Sequence, residues 1–171
     1  MYNLLDGLKI IEVSSFVASP TAGLYCAQFG AEVIRVDQIG GGPDYHRWPV
    51  TEANESLYWE NLNRAKKSLA LDLASPQGRE ILQELVQVTG QFITNFPAEG
   101  FLSHAKLSEK RHDLVTVRVM GWADGAPALD YTVNNAVGYP MMTGMGPEPV
   151  NHVLPAWDLL SGAYAAFAML A

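Results

Sequence analysis

The chain has 171 residues, 49% of them hydrophobic and 17% charged, which is enough for one domain with a true core. Its net charge of −7 and pI of about 4.9 argue against nucleic acid as a main partner. A single cysteine, Cys26, excludes an internal disulfide and fits a reducing compartment.

The first residues, MYNLLDGLKIIEV, carry no basic leader and run straight into an apolar stretch, so a cytoplasmic location is expected. Residues 8–13 (LKIIEV) suit a buried strand. Residues 14–19 form a turn of small residues around one phenylalanine, and Pro20 is suited to the first position of a helix running to about Phe29. Gly30 ends it, and residues 32–37 (EVIRVD) give a second strand. This βαβ unit predicts a parallel sheet with right-handed crossovers. Residues 40–63 open on three glycines and a proline, then carry Tyr45, Trp48, Tyr58 and Trp59 without a regular period. Such aromatic segments cover ligands about as often as they simply pack. Residues 68–73 (SLALDL) make a third strand, and Ser75-Pro76 starts a helix with apolar residues at helical spacing. Residues 91–96 (QFITNF) and 114–119 (LVTVRV) are the fourth and fifth strands, with a short helix over 108–112. Residues 121–155 read mostly as loop, a length that is usually functional or disordered.

Five strands alternating with helices predict an α/β, Rossmann-like, doubly wound and mainly parallel sheet, with ligands outside its carboxyl edge. The dinucleotide fingerprint is absent, since SSFVASPTAG offers no G-x-G-x-x-G. The four histidines lie far apart and form no metal-binding pair, so no metal is expected. No nucleophile elbow or P-loop occurs, and Cys26 sits mid-helix without a signalled base. A carboxylate is left as the candidate nucleophile. Asp158 follows Pro155-Ala156-Trp157 and precedes thirteen uncharged residues, 159–171, that predict a helix buried on every side. That run is too short to span a membrane. The commoner role for an acid at such a place is to cap the helix. The other is that of a partly desolvated nucleophile. Asp158 is preferred to Asp130, which spacing alone does not exclude. The closing helix has no glycine cap and no basic last turn, which suggests the N-terminal part of a longer protein.

The stretches LDGLKIIEVSSFVASPTAGLYCAQFGAEVIRVD, LNRAKKSLALDLASPQGREIL and FITNF, with an acid opening an apolar helix, resemble the N-terminal half of the family III CoA-transferases. The segments GGGPDYHRWPVT, FITNFPAEGFLS, DYTVN and VNHVLPAWD are most similar to members that move CoA between the two carboxyls of one short dicarboxylate, converting mesaconyl-CoA from its C1 to its C4 thioester. The resemblance implies a CoA-binding Rossmann-like domain over residues 1–171, with the second half of the family fold absent. It implies that Asp158 is the nucleophile that carries acyl group and CoA in turn. Coenzyme A would then belong to the substrate, and no permanently bound cofactor is implied. Ser15, Phe16, Val17 and Ala18 match the loop at the thioester end, with Tyr131 of DYTVN also a candidate contact. Leu71, Asp72, Leu73, Asn95 and Phe96 match positions around the adenine nucleotide.

Gln38 stands where many members have a basic residue after the second strand, so phosphate contact falls to Arg47, Arg64, Lys66 or Lys67. Ser103-His104 replaces a family arginine, leaving His104 as a candidate contact. Leu129 stands where the related racemases have a histidine, which favours acyl transfer over proton exchange at carbon. The family pattern further implies an interlocked homodimer of the full-length protein. The expected partners are an acyl-CoA and a short dicarboxylate, with neither nucleic acid nor membrane. An intermolecular transferase on another short acid and a non-catalytic CoA-binding fragment remain as alternatives.

Overall fold

A computed structural model of the chain describes residues 2–97 and 99–171. Five parallel strands form one sheet: β1 (Lys9–Val13), β2 (Glu32–Asp37), β3 (Lys67–Ala70), β4 (Gln91–Thr94) and β5 (Val115–Arg118), in the order β3-β2-β1-β4-β5. The expected doubly wound α/β class is therefore observed. All five carboxyl ends share one edge, and the reversal of strand order falls between β1 and β4.

The alternation along β1 divides the core. Ile10 faces one side, where it meets α1 (Ala18–Gln28) and α7 (Ala156–Leu170). Ile11 and Val13 face the other, where α3 (Pro76–Thr89) contributes Leu82 and Val86, and Leu107 of the short α4 (His104–Ser108) completes the cluster. A strand buried on both faces carries apolar residues almost continuously, as β1 and β4 do.

Glycine sets the seam between α1 and α7. A Cβ on Gly162 would stand 2.7 Å from the Ala18 carbonyl oxygen, so only glycine lets the two helices approach this closely. Ala165, Ala166 and Met169 continue the same buried stripe toward Ala22 and Cys26. The expectation that α7 is buried on every side is corrected here. Leu160, Tyr164, Phe167 and Leu170 on its other face are 53%, 73%, 71% and 50% exposed. The helix enclosed all round is α1, in which Ala18 through Leu24, Cys26 and Ala27 are buried.

Several boundaries shift for local reasons. Helix α1 starts at Ala18, which leaves Pro20 within the first turn, where its missing N–H costs nothing. The short helix expected over 108–112 lies at His104–Ser108, because Ser103 rather than Ser108 caps it by accepting from the Lys106 N–H. Strand β3 ends at Ala70, so Leu71, Asp72 and Leu73 form the turn that follows it. Ser56 accepts from the Trp59 N–H and starts α2 (Leu57–Asn63) inside the aromatic segment. Two short helices, α5 (Asp130–Ala136) and α6 (Tyr139–Met142), occupy the stretch read as loop. No helix among the described residues is long and apolar enough to cross a membrane.

Candidate functional site

The turn after β1 is where the chain departs from regular geometry. Phe16 has φ of +63°, a left-handed conformation that is rare for an aromatic residue and must be held by its surroundings. Two side chains hold it. Asn95, just past β4, accepts from the Ser15 N–H at 3.0 Å and donates to the Ser15 carbonyl at 2.7 Å. Asp44 accepts from the Phe16 N–H at 2.8 Å.

Asp44 is fixed in turn by a buried ion network. The Arg35 guanidinium, 1% exposed, donates to Asp37 at 2.8 and 3.0 Å, to Asp44 at 3.1 Å and to Asn63 at 2.8 Å. Glu12 lies fully buried on the α1 side of β1, with the Lys66 ammonium 3.0 and 2.9 Å from its two oxygens. Its space is made by Gly23, where a Cβ would lie 1.8 Å from Glu12 Oε2. Lys66 is held further by the Pro20 carbonyl at 2.8 Å and Asn63 at 2.9 Å. Burial pulls the lysine below its ordinary range, and Glu12 opposes that pull.

At the start of α7 the two candidate acids have separate roles. Asp130 Oδ2 accepts from the Trp157 N–H at 2.7 Å and the Asp158 N–H at 3.3 Å, so Asp130 caps α7 from a neighbouring helix. Its other oxygen accepts from Asn134, whose own carbonyl oxygen takes the Trp157 indole N–H at 2.6 Å. With its first amides already bound, α7 does not use the Asp158 carboxylate as its cap. Among the described residues that carboxylate takes no hydrogen bond, although the residue is only half-buried. Burial and the neighbouring Asp130 charge push Asp158 up to about 6, while Arg47 opposes the rise.

Arg47 joins this acid to the opening turn. Its guanidinium carbon lies 5.3 Å from the Phe16 ring centroid and 4.6 Å from that of Tyr58. The Tyr58 hydroxyl is buried without a hydrogen-bond partner among the described residues. Burial pushes its pKa up to about 12, and it also feels the charges of Arg47, Asp44 and Asp158 and the phenol of Tyr131. Phe16, Arg47 and Tyr58 are therefore in contact, and Asp158 and Tyr131 lie near enough to act on Tyr58 electrostatically. Cys26 is buried, and burial pushes its thiol up to about 11, away from the reactive thiolate form.

A second feature lies on the α3 side of the same sheet edge. A cleft of about 810 Å³ is bounded by Val13, Val36, Asp37, Gln38, Asp72, Leu73, Phe96 and Phe101, among others. Three residues matched to the adenine nucleotide (Asp72, Leu73 and Phe96) thus share one cavity with Gln38, the residue that departs from the family pattern. Leu71 is buried in the core beneath it, with its N–H on the Asp37 carbonyl. Ser15, Val17 and Ala18 are buried in the turn and the first residues of α1.

Other sequence candidates stand apart. Lys66 has its ammonium enclosed in the ion pair with Glu12, so it is not offered to a phosphate. Lys67 opens β3 and pairs with Glu32 at 2.7 Å beside a smaller cavity of about 340 Å³ at the amino edge, opposite the cleft. Arg64 turns back onto Asn61. His104 bonds Thr116 of β5 at 2.9 Å and does not border the cleft. Asn95 braces the opening turn instead of bordering the cleft.

Sequence reasoning missed Asp44, Tyr58 and the capping role of Asp130. An available signal was Glu12 within an apolar strand, since a buried acid requires charged partners nearby.

The family model described as CoA-transferase family III matches residues 5–171, and the chain belongs to that family. It is 49% identical to the 2-methylfumaryl-CoA isomerase of Chloroflexus aurantiacus, an alignment covering 100% of this chain and 44% of that protein. It is 31% identical to human succinyl-CoA:glutarate CoA-transferase, covering 98% of this chain and 41% of that enzyme. The structure of a CAIB/BAIF family protein from Brucella suis superposes with a TM-score of 0.90 at 25% identity, over 99% of this chain and 49% of that one. The chain spans less than half the length of the relatives it matches.

Proposed function

We propose that this chain is the N-terminal, CoA-binding part of a protein that transfers CoA within a short dicarboxylic acyl-CoA, with Asp158 as nucleophile. The 49% identity to 2-methylfumaryl-CoA isomerase supports mesaconyl-CoA as the substrate and C1-to-C4 transfer as the reaction. The observation that carries the role of Asp158 is the division of labour with Asp130. One carboxylate satisfies the helix amides, and the other is left half-buried with no bond of its own.

In this reading an Asp158 oxygen attacks the thioester carbonyl, the C–S bond breaks, and CoA thiolate leaves a mixed anhydride behind. The thiolate then attacks the aspartyl carbonyl of that anhydride, releasing the dicarboxylate and forming an aspartyl-CoA thioester. The other carboxylate of the same acid attacks the aspartyl carbonyl and expels the thiolate. The thiolate finally attacks the new acyl carbonyl and frees Asp158. No net proton is consumed, and splitting the transfer keeps each activated carbonyl tied to the protein. The α7 amides beside Asp158 are bound to Asp130, so Arg47 is the local positive charge available to the developing oxyanions. In the whole protein the 810 Å³ cleft would take the nucleotide end of CoA, with Gln38, Asp72, Leu73 and Phe96 around it. A cytoplasmic enzyme assembled as an interlocked homodimer completes the proposal.

Asp158→Ala is expected to abolish isomerisation of mesaconyl-CoA in the whole protein while CoA still binds. Hydroxylamine should trap an aspartyl adduct in the wild type and none in the variant. Because the carboxylate form attacks, the wild-type rate of adduct formation should rise through about pH 6 and level off above it. Isomerisation without any added acid supports the intramolecular reaction. A requirement for a second acid would move the assignment to an intermolecular transferase.

A further inference from the structure

We propose that Arg47 is the specificity-determining residue that holds the free carboxylate of the acyl group, opposite the carboxyl attached to CoA. The inference rests on the CoA-transfer reading above and deepens it.

Partner chemistry sets Arg47 apart from Arg35, Arg79 and Arg111. Arg35 and Arg111 have their guanidinium groups against carboxylates, and Arg79 donates to the carbonyls of Leu73 and Ala74. The Arg47 guanidinium rests against the rings of Phe16 and Tyr58, with no carboxylate bonded to it among the described residues. Stacking on an aromatic face leaves the N–H edge of a guanidinium free, and that edge matches a carboxylate in bidentate fashion. The surface beside it is shaped for a small, partly polar group. Tyr58 supplies a buried hydroxyl that lacks a partner, and Phe16 supplies a ring on a backbone that Asp44 and Asn95 hold in place.

The placement also suits the reaction. The Arg47 charge favours the ionised form of Asp158. In the proposed reading a carboxylate bound at Arg47 is held on the Phe16–Tyr58 face while Asp158 reacts. In an intramolecular transfer the two carboxyls of the acid exchange roles, and the group not being activated must be kept nearby while the other reacts. One fixed cation beside the nucleophile can hold first one carboxylate and then the other. The device rejects monocarboxylic acyl groups, because a methyl in that position would leave the guanidinium desolvated and unpaired.

The test uses the whole protein with Asp158→Asn, which cannot turn over, and two thioesters that differ at one group. Mesaconyl-CoA carries the free carboxylate, and 2-methylcrotonyl-CoA has a methyl there instead. Isothermal titration should show mesaconyl-CoA binding more tightly by about 10- to 100-fold, the range for a charge-assisted bidentate pair. Adding Arg47→Gln should remove that preference and leave 2-methylcrotonyl-CoA binding within about threefold. Arg47→Lys should restore part of it, since the charge remains but the planar fork is lost. A preference that survives Arg47→Gln overturns the proposal. An equal loss for both thioesters also overturns it, and would assign Arg47 to the CoA phosphates or to the fold. Failure of both thioesters to bind, with Arg47 intact, would sink the CoA-transfer reading itself.

Discussion

Two groups of charges lie a few residues apart and are treated in opposite ways. Beneath the opening turn, Glu12, Arg35, Lys66 and Asp44 are all buried, and each is in ionic or hydrogen-bonded contact with others. At the rim above them, Arg47 and Asp158 have opposite charges and partial or full exposure, yet they do not pair. The lower group determines shape, because the Arg35–Asp44 contact passes directly to the Phe16 backbone. The upper group is left unsatisfied, which is how groups that act on a ligand are kept available. Charge in the interior therefore does not identify a site in this protein.

Breaking the lower group should have the largest effect. Glu12→Ala leaves Lys66 buried without its acid, and a loss of about 3–5 kcal/mol of stability is expected in a urea titration. Next comes the seam that carries Asp158 to the rim. Gly162→Val would drive a side chain into the Ala18 carbonyl, costing about 1–3 kcal/mol and displacing Asp158 from Arg47. Its thermal midpoint and its rate should therefore fall together.

Asp130→Ala removes the cap of α7, for about 1–2 kcal/mol of lost stability. It also removes the negative charge beside Asp158, so the pH at which adduct formation is half-maximal should drop below that of the wild type. The smallest effect has the opposite sign. The folded protein holds Asp158 near 6, above its unfolded value of about 3.9. The fold therefore binds more protons than the unfolded chain between roughly pH 4 and 6, and stability declines as pH rises through that window. Asp158→Asn should recover about 1–2 kcal/mol at pH 8 and nothing at pH 4, while abolishing transfer. An equal gain at both pH values would mean that the acid is not strained by its charge.

Strands β1, β2 and β4 were legible as short runs that follow a glycine, and β1 and β4 are buried on both faces as central parallel strands are, whereas the edge strand β3 is largely exposed. The βαβ opening was legible for the same reason. Helix α7 was misread as enclosed because its composition is apolar all round, while α1, with its serine, threonine and proline, is the helix that is enclosed. Residue hydrophobicity does not reveal which side of an apolar helix meets the core, whereas the glycine at 162 marks the point of closest approach.

At the rim, Asp158 was visible as the last charge before an apolar run, and its competitor for the cap was visible only as one acid among several. That Asp130 reaches across from another helix to bind the α7 amides is a tertiary fact. Arg47 was visible only as one of several candidates for a phosphate, and Tyr58 was hidden in an aromatic segment without period, where α2 is set by a single serine cap. Lys66 and Lys67 are adjacent in sequence, yet one is sealed inside and the other faces solvent at the opposite edge. Lys66 precedes β3 and turns in toward Glu12, while Lys67 opens the strand on an exposed edge, so proximity in a basic cluster was a poor guide to a shared ligand.

The Asn95–Ser15 pair joins the ends of β1 and β4, the crevice where an open sheet of this order ordinarily receives its ligand. Those two bonds brace the Ser15 peptide at a crevice that the 810 Å³ cleft borders through Val13 and Phe96. Under the proposed function, a ligand reaching from that cleft to Asp158 would pass a peptide that cannot yield, and the buried charge beneath Phe16 keeps it so.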